Sequence, residues 1–458
     1  MVARAQRSKI RLIAGFGAVG ITAALLAGTT SVAAQAAGTP AVVHKAVTAG
    51  QKTPAVGVHP HYRLAAHSHQ DPSTLFSCQT ASPAYCYGPD QIRKAYGVDA
   101  LGKAGLSGAG RTIVIVDAFS SPTIEADLAA FDQHFALAAP PSFTQVAPDG
   151  LTPFDGSDLQ VGWSGEITLD VEWAHAIAPK AKIVLVLAKT SNDPDILSAT
   201  KYAVDHNLGD VISQSFGEAE QCVDPAIESA QHTLFQKATR MGITLLASSG
   251  DQGAAQAVCD PNSTAYFKAA SSPATDPNVT AVGGTLLNAD GVTGKYISET
   301  TWNEPSYQAG GGGGFSTIYG TPHYQKSLHL KSRGVPDISY NAGIDTGVLV
   351  YWGVLGGDNA GFYIFGGTSA GSPQWAGLVA LADQLNHCRL GAINDSLYKL
   401  ALFKSVYRNE YHDITTGTNT FYGDQTIPGY SAGPGWDPAT GLGTPKANVL
   451  VPSLAAIG

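Results

Sequence analysis

Thr112-Ile113-Val114-Ile115-Val116-Asp117-Ala118-Phe119 is the stretch that decides the fold. A strand with one wet face alternates apolar and polar residues; an unbroken apolar run suits a strand covered on both faces. Similar runs recur at Ile183-Val184-Leu185-Val186-Leu187, Val211-Ile212-Ser213 and Ile243-Thr244-Leu245-Leu246-Ala247. Helical stretches lie between them, around Glu125 to His134, Ile196 to Asp205 and Ala226 to Met241. This alternation predicts an α/β fold with a mostly parallel central sheet flanked by helices on both faces. In such folds ligands bind at the carboxyl ends of the strands. Those ends read Asp117-Ala118-Phe119, Ser213-Gln214-Ser215-Phe216-Gly217 and Ser248-Ser249-Gly250-Asp251-Gln252-Gly253, so glycines and polar groups gather where a cleft is expected.

The chain of 458 residues is 44% apolar and 14% charged, with 52 glycines and 26 prolines, which excludes disorder and a coiled coil and allows a large core. Residues 1–79 hold 7 Lys and Arg against 1 Asp, leaving 20 basic and 35 acidic residues in 80–458. An acidic body repels nucleic acid and anionic membranes. Arg4, Arg7, Lys9 and Arg11, the uncharged Leu12 to Ala27 and then Ala34-Gln35-Ala36 follow the order of a secretory signal peptide cleaved after Ala36. Secretion to the extracellular space is therefore expected, with no membrane association after cleavage. Residues 37–79 are rich in Ala, Pro, Thr and His and lack periodicity, as a short propeptide or linker would. His59, His61, His67 and His69 have no Cys or carboxylate partners at fixed spacing, which disfavours a metal site. Export points to disulfides among the five cysteines: Cys78 with Cys86 and Cys222 with Cys259 are the expected pairs, Cys388 being left over, and five cysteines allow other connectivities.

The run Phe362-Tyr363-Ile364-Phe365-Gly366-Gly367-Thr368-Ser369-Ala370-Gly371 leads into a buried helix from Ser372-Pro373-Gln374-Trp375. Ser369 falls near that helix's amino end, where free amides and the positive dipole end can stabilise an oxyanion. A serine there can equally be a plain cap. Gly367-Thr368-Ser369-Ala370-Gly371 also fits the nucleophile elbow of α/β-hydrolases, but only His387 and His412 follow it. A second constellation is Ser164-Gly165-Glu166-Ile167-Thr168-Leu169-Asp170-Val171-Glu172-Trp173-Ala174-His175. Glu166 and Asp170, four apart, share one helix face, so one proton between them is expected. Taken alone, the pair reads as a solvated acidic first turn.

Together these segments resemble the sedolisin family of serine-carboxyl peptidases, whose fold is subtilisin-like and whose base is glutamate instead of histidine. The matching segments are Gly165 to Glu172 with Ala178-Pro179-Lys180-Ala181, Ser248-Ser249-Gly250-Asp251, Gly366 to Ala370, Asp413-Ile414-Thr415 and Ala432 to Gly443; they span residues 80–458, one peptidase domain. The resemblance implies Ser369 as nucleophile, Glu166 as general base and later acid, Asp170 as the carboxyl orienting it, and Asp251 as oxyanion-hole donor. It implies Ser213, Gln214, Ser215, Phe216 and Gly217 as the edge that pairs with a polypeptide substrate. It also implies Ca²⁺, held by the carboxylates of Asp413 and Asp437 and the carbonyls of Ile414, Gly433 and Gly435. A carboxyl donates a hydrogen bond only when protonated, so acid activity is expected. A monomer is expected.

Two competing readings remain. One is a subtilisin-like triad using Asp117 and a histidine, with His175 the candidate, packed near Trp173 or facing solvent; the other is an inactive calcium-stabilised binding module. The five glycines Gly310 to Gly314 are not followed by Lys-Ser/Thr, so a flexible turn near the cleft is expected there, not a phosphate cradle. The family's precursors carry a large folded prodomain, whereas only about 43 residues separate Ala36 from residue 80 here.

Overall fold

Ile113, Val114, Ile115 and Val116 are all fully buried. Ile113 and Ile115 join one apolar cluster and Val114 and Val116 another, because successive side chains point to opposite faces of a sheet. The computed structural model describes residues 56–57, 61–67, 74–260 and 262–458. The expected signal peptide and its cleavage site, most of residues 37–79, His59 and His69 lie outside the described residues.

In chain order the strands used below are β1 (His61–His67), β2 (Cys86–Tyr87), β3 (Thr112–Ala118), β4 (Phe143–Val146), β5 (Lys182–Ala188), β6 (Val211–Gln214), β7 (Thr244–Ser248), β8 (Thr280–Ala289), β9 (Tyr296–Thr301), β10 (Ile338–Asn341), β11 (Gly347–Trp352) and β12 (Gly361–Gly366). The helices are α1 (Ile124–His134), α2 (Asp158–Ile177), α3 (Asp193–Asp205), α4 (Pro225–Arg240), α5 (Gly371–Asn386) and α6 (Ala447–Ile457). An eight-stranded sheet has the order β9-β8-β7-β6-β3-β5-β4, with β10 also paired to β8. Every pairing in it is parallel except that of β8 with β9. One face is covered by α1, α2, α5 and α6, the other by α3 and α4. This is the α/β arrangement expected from the alternating runs, and it agrees with the subtilisin-like fold that the resemblance implies.

Helix α2 starts at the Ser157 side chain, which accepts from the Gln160 amide at 3.4 Å. It crosses α5 closely because α5 carries Gly377 at the crossing: a Cβ there would lie 2.6 Å from the Ile177 Cβ. The absent side chain brings the helix bearing Glu166 against the helix that Ser369 precedes.

A second sheet has the order β1-β12-β11-β2. Here the structure departs from the expectation of a featureless linker, for β1 runs antiparallel along β12 from His61↔Gly366 to His67↔Gly361. Tyr62 packs on Phe365 (centroids 5.5 Å) and Trp352 (4.8 Å), and Arg63 pairs with Asp345 at 3.2 Å. The alternation Tyr62, Leu64, Ala66 is too short to stand out; its partner strand and the aromatic bed hold it. Disulfides Cys78–Cys86 and Cys222–Cys259 form, and Cys388 is free and exposed, as expected. Among the described residues no helix is long and apolar enough to cross a membrane.

Candidate active site

Strand β12 ends at Gly366, and the chain then turns through Gly367, whose φ of +123° suits only glycine, into a 3₁₀ turn Thr368–Ala370 that feeds α5. The turn sets Ser369, 7% exposed, beside β6: its Oγ lies 3.4 Å from the Ser215 carbonyl oxygen. Glu166 and Asp170 lie well inside α2 and are fully buried, so the solvated first turn is overturned. The Ser369 hydroxyl is beside the Glu166 carboxyl and the Ser215 hydroxyl beside that of Asp170.

Burial pushes Glu166 well above the usual carboxyl range, the Asp170 charge adds to this, and the Ser369 hydroxyl opposes it. Asp170 is likewise raised by burial and then by Asp117, against the pull of Ser215. Asp117, at the end of β3, is raised by burial and then by Glu166. The carboxyl oxygens of all three acids have no protein hydrogen-bond partner in full geometry. Three acids so placed cannot all ionise, so protons are retained among them. Asp117 is the member that the sequence reading missed, having placed it only in a histidine triad; its position at a strand end was the available signal.

Asp251 follows β7 in the loop facing Gly367. One of its oxygens, Oδ1, accepts from the Thr368 amide at 2.8 Å and the Thr368 hydroxyl at 2.7 Å. The other, Oδ2, lies 2.7 Å from where a Cβ on Gly367 would be. Burial pushes the Asp251 carboxyl up to about 6, against the two Thr368 bonds. With Oδ1 saturated by donors, a proton on this group belongs on Oδ2, which points along the turn carrying Ser369. The five-glycine loop, expected as a flexible turn, is instead buried and fastened to the back of this segment: Gly310 N donates to Asp251 O at 2.9 Å and Gly312 N to Gly250 O at 2.7 Å.

Among the described residues no histidine lines the cavity shared by Ser369, Asp251 and Ser215. His175 neither faces solvent nor serves a serine; it is fully buried, with Nε2 3.1 Å from Asp132 Oδ1. His387 is exposed at the far end of α5, and His412 stacks on Tyr296 at 3.8 Å and is pushed down to about 4 by burial. Of the five residues expected to pair with substrate, Ser213 and Gln214 need correction. Both lie inside the sheet, their backbones taken by β3 and β7, and Ser213 Oγ meets Ser372 Oγ at 2.8 Å. Only Ser215, Phe216 and Gly217 run past the end of β6 into the cavity.

Residues 163–398 match the model of the subtilase family. Kumamolisin from a Bacillus species is 34% identical over 86% of this chain and 68% of its own length. Among solved structures, Pseudomonas sedolisin, a serine-carboxyl proteinase complexed with pseudo-iodotyrostatin, superposes with a TM-score of 0.70 at 29% identity, over 81% of this chain and 98% of that one. The chain belongs to the sedolisin family. It is a serine-type peptidase of the serine-carboxyl kind. Another relative, tripeptidyl-peptidase sed4 of Aspergillus fumigatus, is 30% identical over 72% of this chain, which spans 61% of that protein.

Sedolisin-family members bind calcium, and the loop expected to do so here comes together in space. Asp413 Oδ1 accepts from the Tyr407 hydroxyl at 2.9 Å and from Gly435 N at 3.0 Å. Asp437 accepts from Gly433 N at 3.0 Å and from Ala439 N and Thr440 N at 2.9 Å each. Among the described residues neither carboxylate is paired with Lys or Arg, and no cluster of three or more His, Cys, Asp or Glu side chains forms a metal cage. Both oxygens of Asp437 already accept from Gly433, Ala439 and Thr440, whereas Asp413 Oδ2 meets only Gly435 N at 3.3 Å, so a calcium ion here would replace some of these donors and need backbone carbonyls to complete its shell.

Proposed function

We propose that this chain is a secreted, acid-active peptidase that cuts peptide bonds through an acyl-enzyme on Ser369. The observation that carries the reading is a buried carboxyl pair, Glu166 and Asp170, next to Ser369 and Ser215, with no histidine among the described residues that line the cavity. In the ionised form Glu166 takes the Ser369 proton as Oγ attacks the substrate carbonyl carbon, and Asp170 keeps its own proton and orients Glu166. The negative oxygen that forms receives a hydrogen bond from protonated Asp251 Oδ2. Collapse breaks the C–N bond, and Glu166 returns its proton to the departing amine. Water, deprotonated by Glu166, then attacks the acyl carbon and releases the acid product and the Ser369 hydroxyl.

Ser215, Phe216 and Gly217 would pair with the substrate backbone. Calcium would be held by Asp413 and Asp437 and by the carbonyls of Ile414, Gly433 and Gly435, and would supply a structural tie between loops, apart from the chemistry. Two disulfides fit an extracellular protein. The test is hydrolysis of a denatured protein from pH 3 to 8 by the wild type and by Ser369→Ala. Loss of at least about 10⁴-fold in the variant, with the wild type most active in acid, is expected; equal rates at every pH would favour the inactive binding module.

A further inference from the structure

Ser271 lines the cavity beside Ser215 and Gly217. It belongs to a short strand, Ser271–Ser272, paired antiparallel with Glu218–Ala219, and Gly217 passes so close to it that a Cβ there would lie 2.8 Å from the Ser272 carbonyl oxygen. So short a pairing has little hold of its own, and what lies behind it sets its position. Behind it stands α4. Ser272 Oγ donates to Glu228 Oε2 at 3.3 Å and accepts from Gln231 Nε2 at 3.2 Å. The Tyr319 hydroxyl donates to Glu228 Oε1 and also lies 3.3 Å from Asp276 Oδ2, which in turn is 2.7 Å from His232 Nδ1. Asp276 ends the turn that begins at Ser271, and Tyr319 follows the five-glycine loop fastened behind Asp251, so this network joins two segments beside the cavity to one helix.

The network is short of protons. Tyr319 has one hydroxyl proton for two carboxyls, and the other Asp276 oxygen is already bound by Asn278 N at 2.7 Å and Asn278 Nδ2 at 2.9 Å. Glu228 and Asp276 are 6% and 1% exposed, and the further charges near Glu228 are acids too, Glu218 and Glu220 beyond Gly217. Glu220 is held by Ser316 Oγ at 2.7 Å and Thr317 Oγ1 at 2.9 Å. On the side of α3, Asp205 pairs with Lys237, further along α4 than His232. Among the described residues the cation that pairs with Asp276 is His232, its side chain 32% exposed. The bond to Asp276 raises this imidazole above its usual 6.5, against partial burial, and the Asp276 and Glu228 charges add to the rise. Glu228 is itself raised by burial, against Tyr319, and then by Asp276. While His232 is protonated, Asp276 is compensated; once it is not, two carboxyls one hydroxyl apart oppose each other.

We infer that His232, Asp276, Tyr319 and Glu228 are positioning residues for substrate binding, a clamp behind the cavity wall that keeps Ser271 in place while His232 carries its charge and lets the wall shift when that charge is lost. The clamp acts on affinity for the polypeptide, whereas Asp251 acts on the chemical step, so the two pH dependences separate. This rests on the peptidase reading above.

The test follows binding of an acetylated octapeptide that the wild type cuts, using the full chain carrying Ser369→Ala, from pH 4 to 8. Affinity should fall by at least about fivefold, the size of one such ion pair, as pH rises through a midpoint above 6.5. With His232→Lys, whose charge persists to pH 8, affinity should stay high throughout. With His232→Gln the fall should move below pH 6.5, because Asp276 then has no cation beside it. Glu228→Gln removes one of the opposed charges and should flatten the profile at the tight level. In the same variants with Ser369 intact, kcat at pH 5 should stay within about twofold of the wild type while KM follows the affinities. A role in folding alone would lower the melting temperature without separating Lys from Gln at position 232. An affinity that is constant from pH 5 to 8, His232 variants whose profiles parallel that of the parent, or a loss of kcat at constant KM overturns the inference. If the wild type and Ser369→Ala are equally inactive on every substrate, the peptidase reading fails instead.

Discussion

Gly367 and Asp251 act as one unit. The glycine's left-handed φ and missing Cβ leave room for Asp251 Oδ2, and Thr368 fixes which oxygen can carry a proton. Gly367→Ala both strains the turn and displaces that oxygen, so kcat/KM should fall by about 10²-fold or more with the fold retained by circular dichroism; wild-type kinetics in the variant would show that the contact is idle. The pH behaviour follows from the proton. Asp251 is a donor only while protonated, so activity should fall as pH rises through about 6. Asp251→Asn keeps the acceptor and replaces the O–H by an N–H that does not titrate, so its alkaline limb should move upward. Asp251→Ala should lose about 10² to 10³-fold at the optimum. A pH–rate profile of Asp251→Asn superimposable on that of the wild type would place the titrating group elsewhere.

At the scale of elements, the calcium loop makes the clearest prediction. Chelation by EGTA should lower the melting temperature, as removal of a ligand at 100 times its Kd costs about 2.7 kcal/mol, and Asp437→Asn should abolish that response. An identical melting temperature with and without chelator would leave Asp413 and Asp437 as turn caps. The core strands were legible because burial on both faces leaves an unmistakable run such as Ile113 to Val116, and Ser369 because glycines mark its turn. The depth of Glu166 in its helix was not legible: whether an acidic pair meets water or a second helix depends on Gly377, more than two hundred residues away. Strand β1 was missed for a related reason, since its stability comes from Phe365 and Trp352, not from its own pattern. Ser213 and Gln214 were misjudged because sequence does not tell where a strand's neighbours stop pairing with it.

For the molecule as a whole, the acidic composition acts through burial. Asp127 and Asp251 are pushed up to about 6 and Asp383 to about 7, each mainly by desolvation, from 3.8 in an exposed chain. The folded state therefore holds protons that the unfolded chain releases first. Their stabilising effect is complete below about pH 3.8 and is lost as pH rises through 6 to 7. For Asp251 alone, two pH units correspond to about 3 kcal/mol. Thermal unfolding should accordingly occur at higher temperature at pH 4 than at pH 7.5; the reverse order would mean that these carboxyls ionise freely in the fold. An acidic net charge hinted at this preference, but only the three-dimensional arrangement identifies the carboxyls responsible. Every tryptophan except Trp436 is fully buried, and Trp163 alone stands among the rings grouped with Val56. Displacement of that valine would admit solvent to one indole, so a red shift in emission would report the loss of this packing without any added dye.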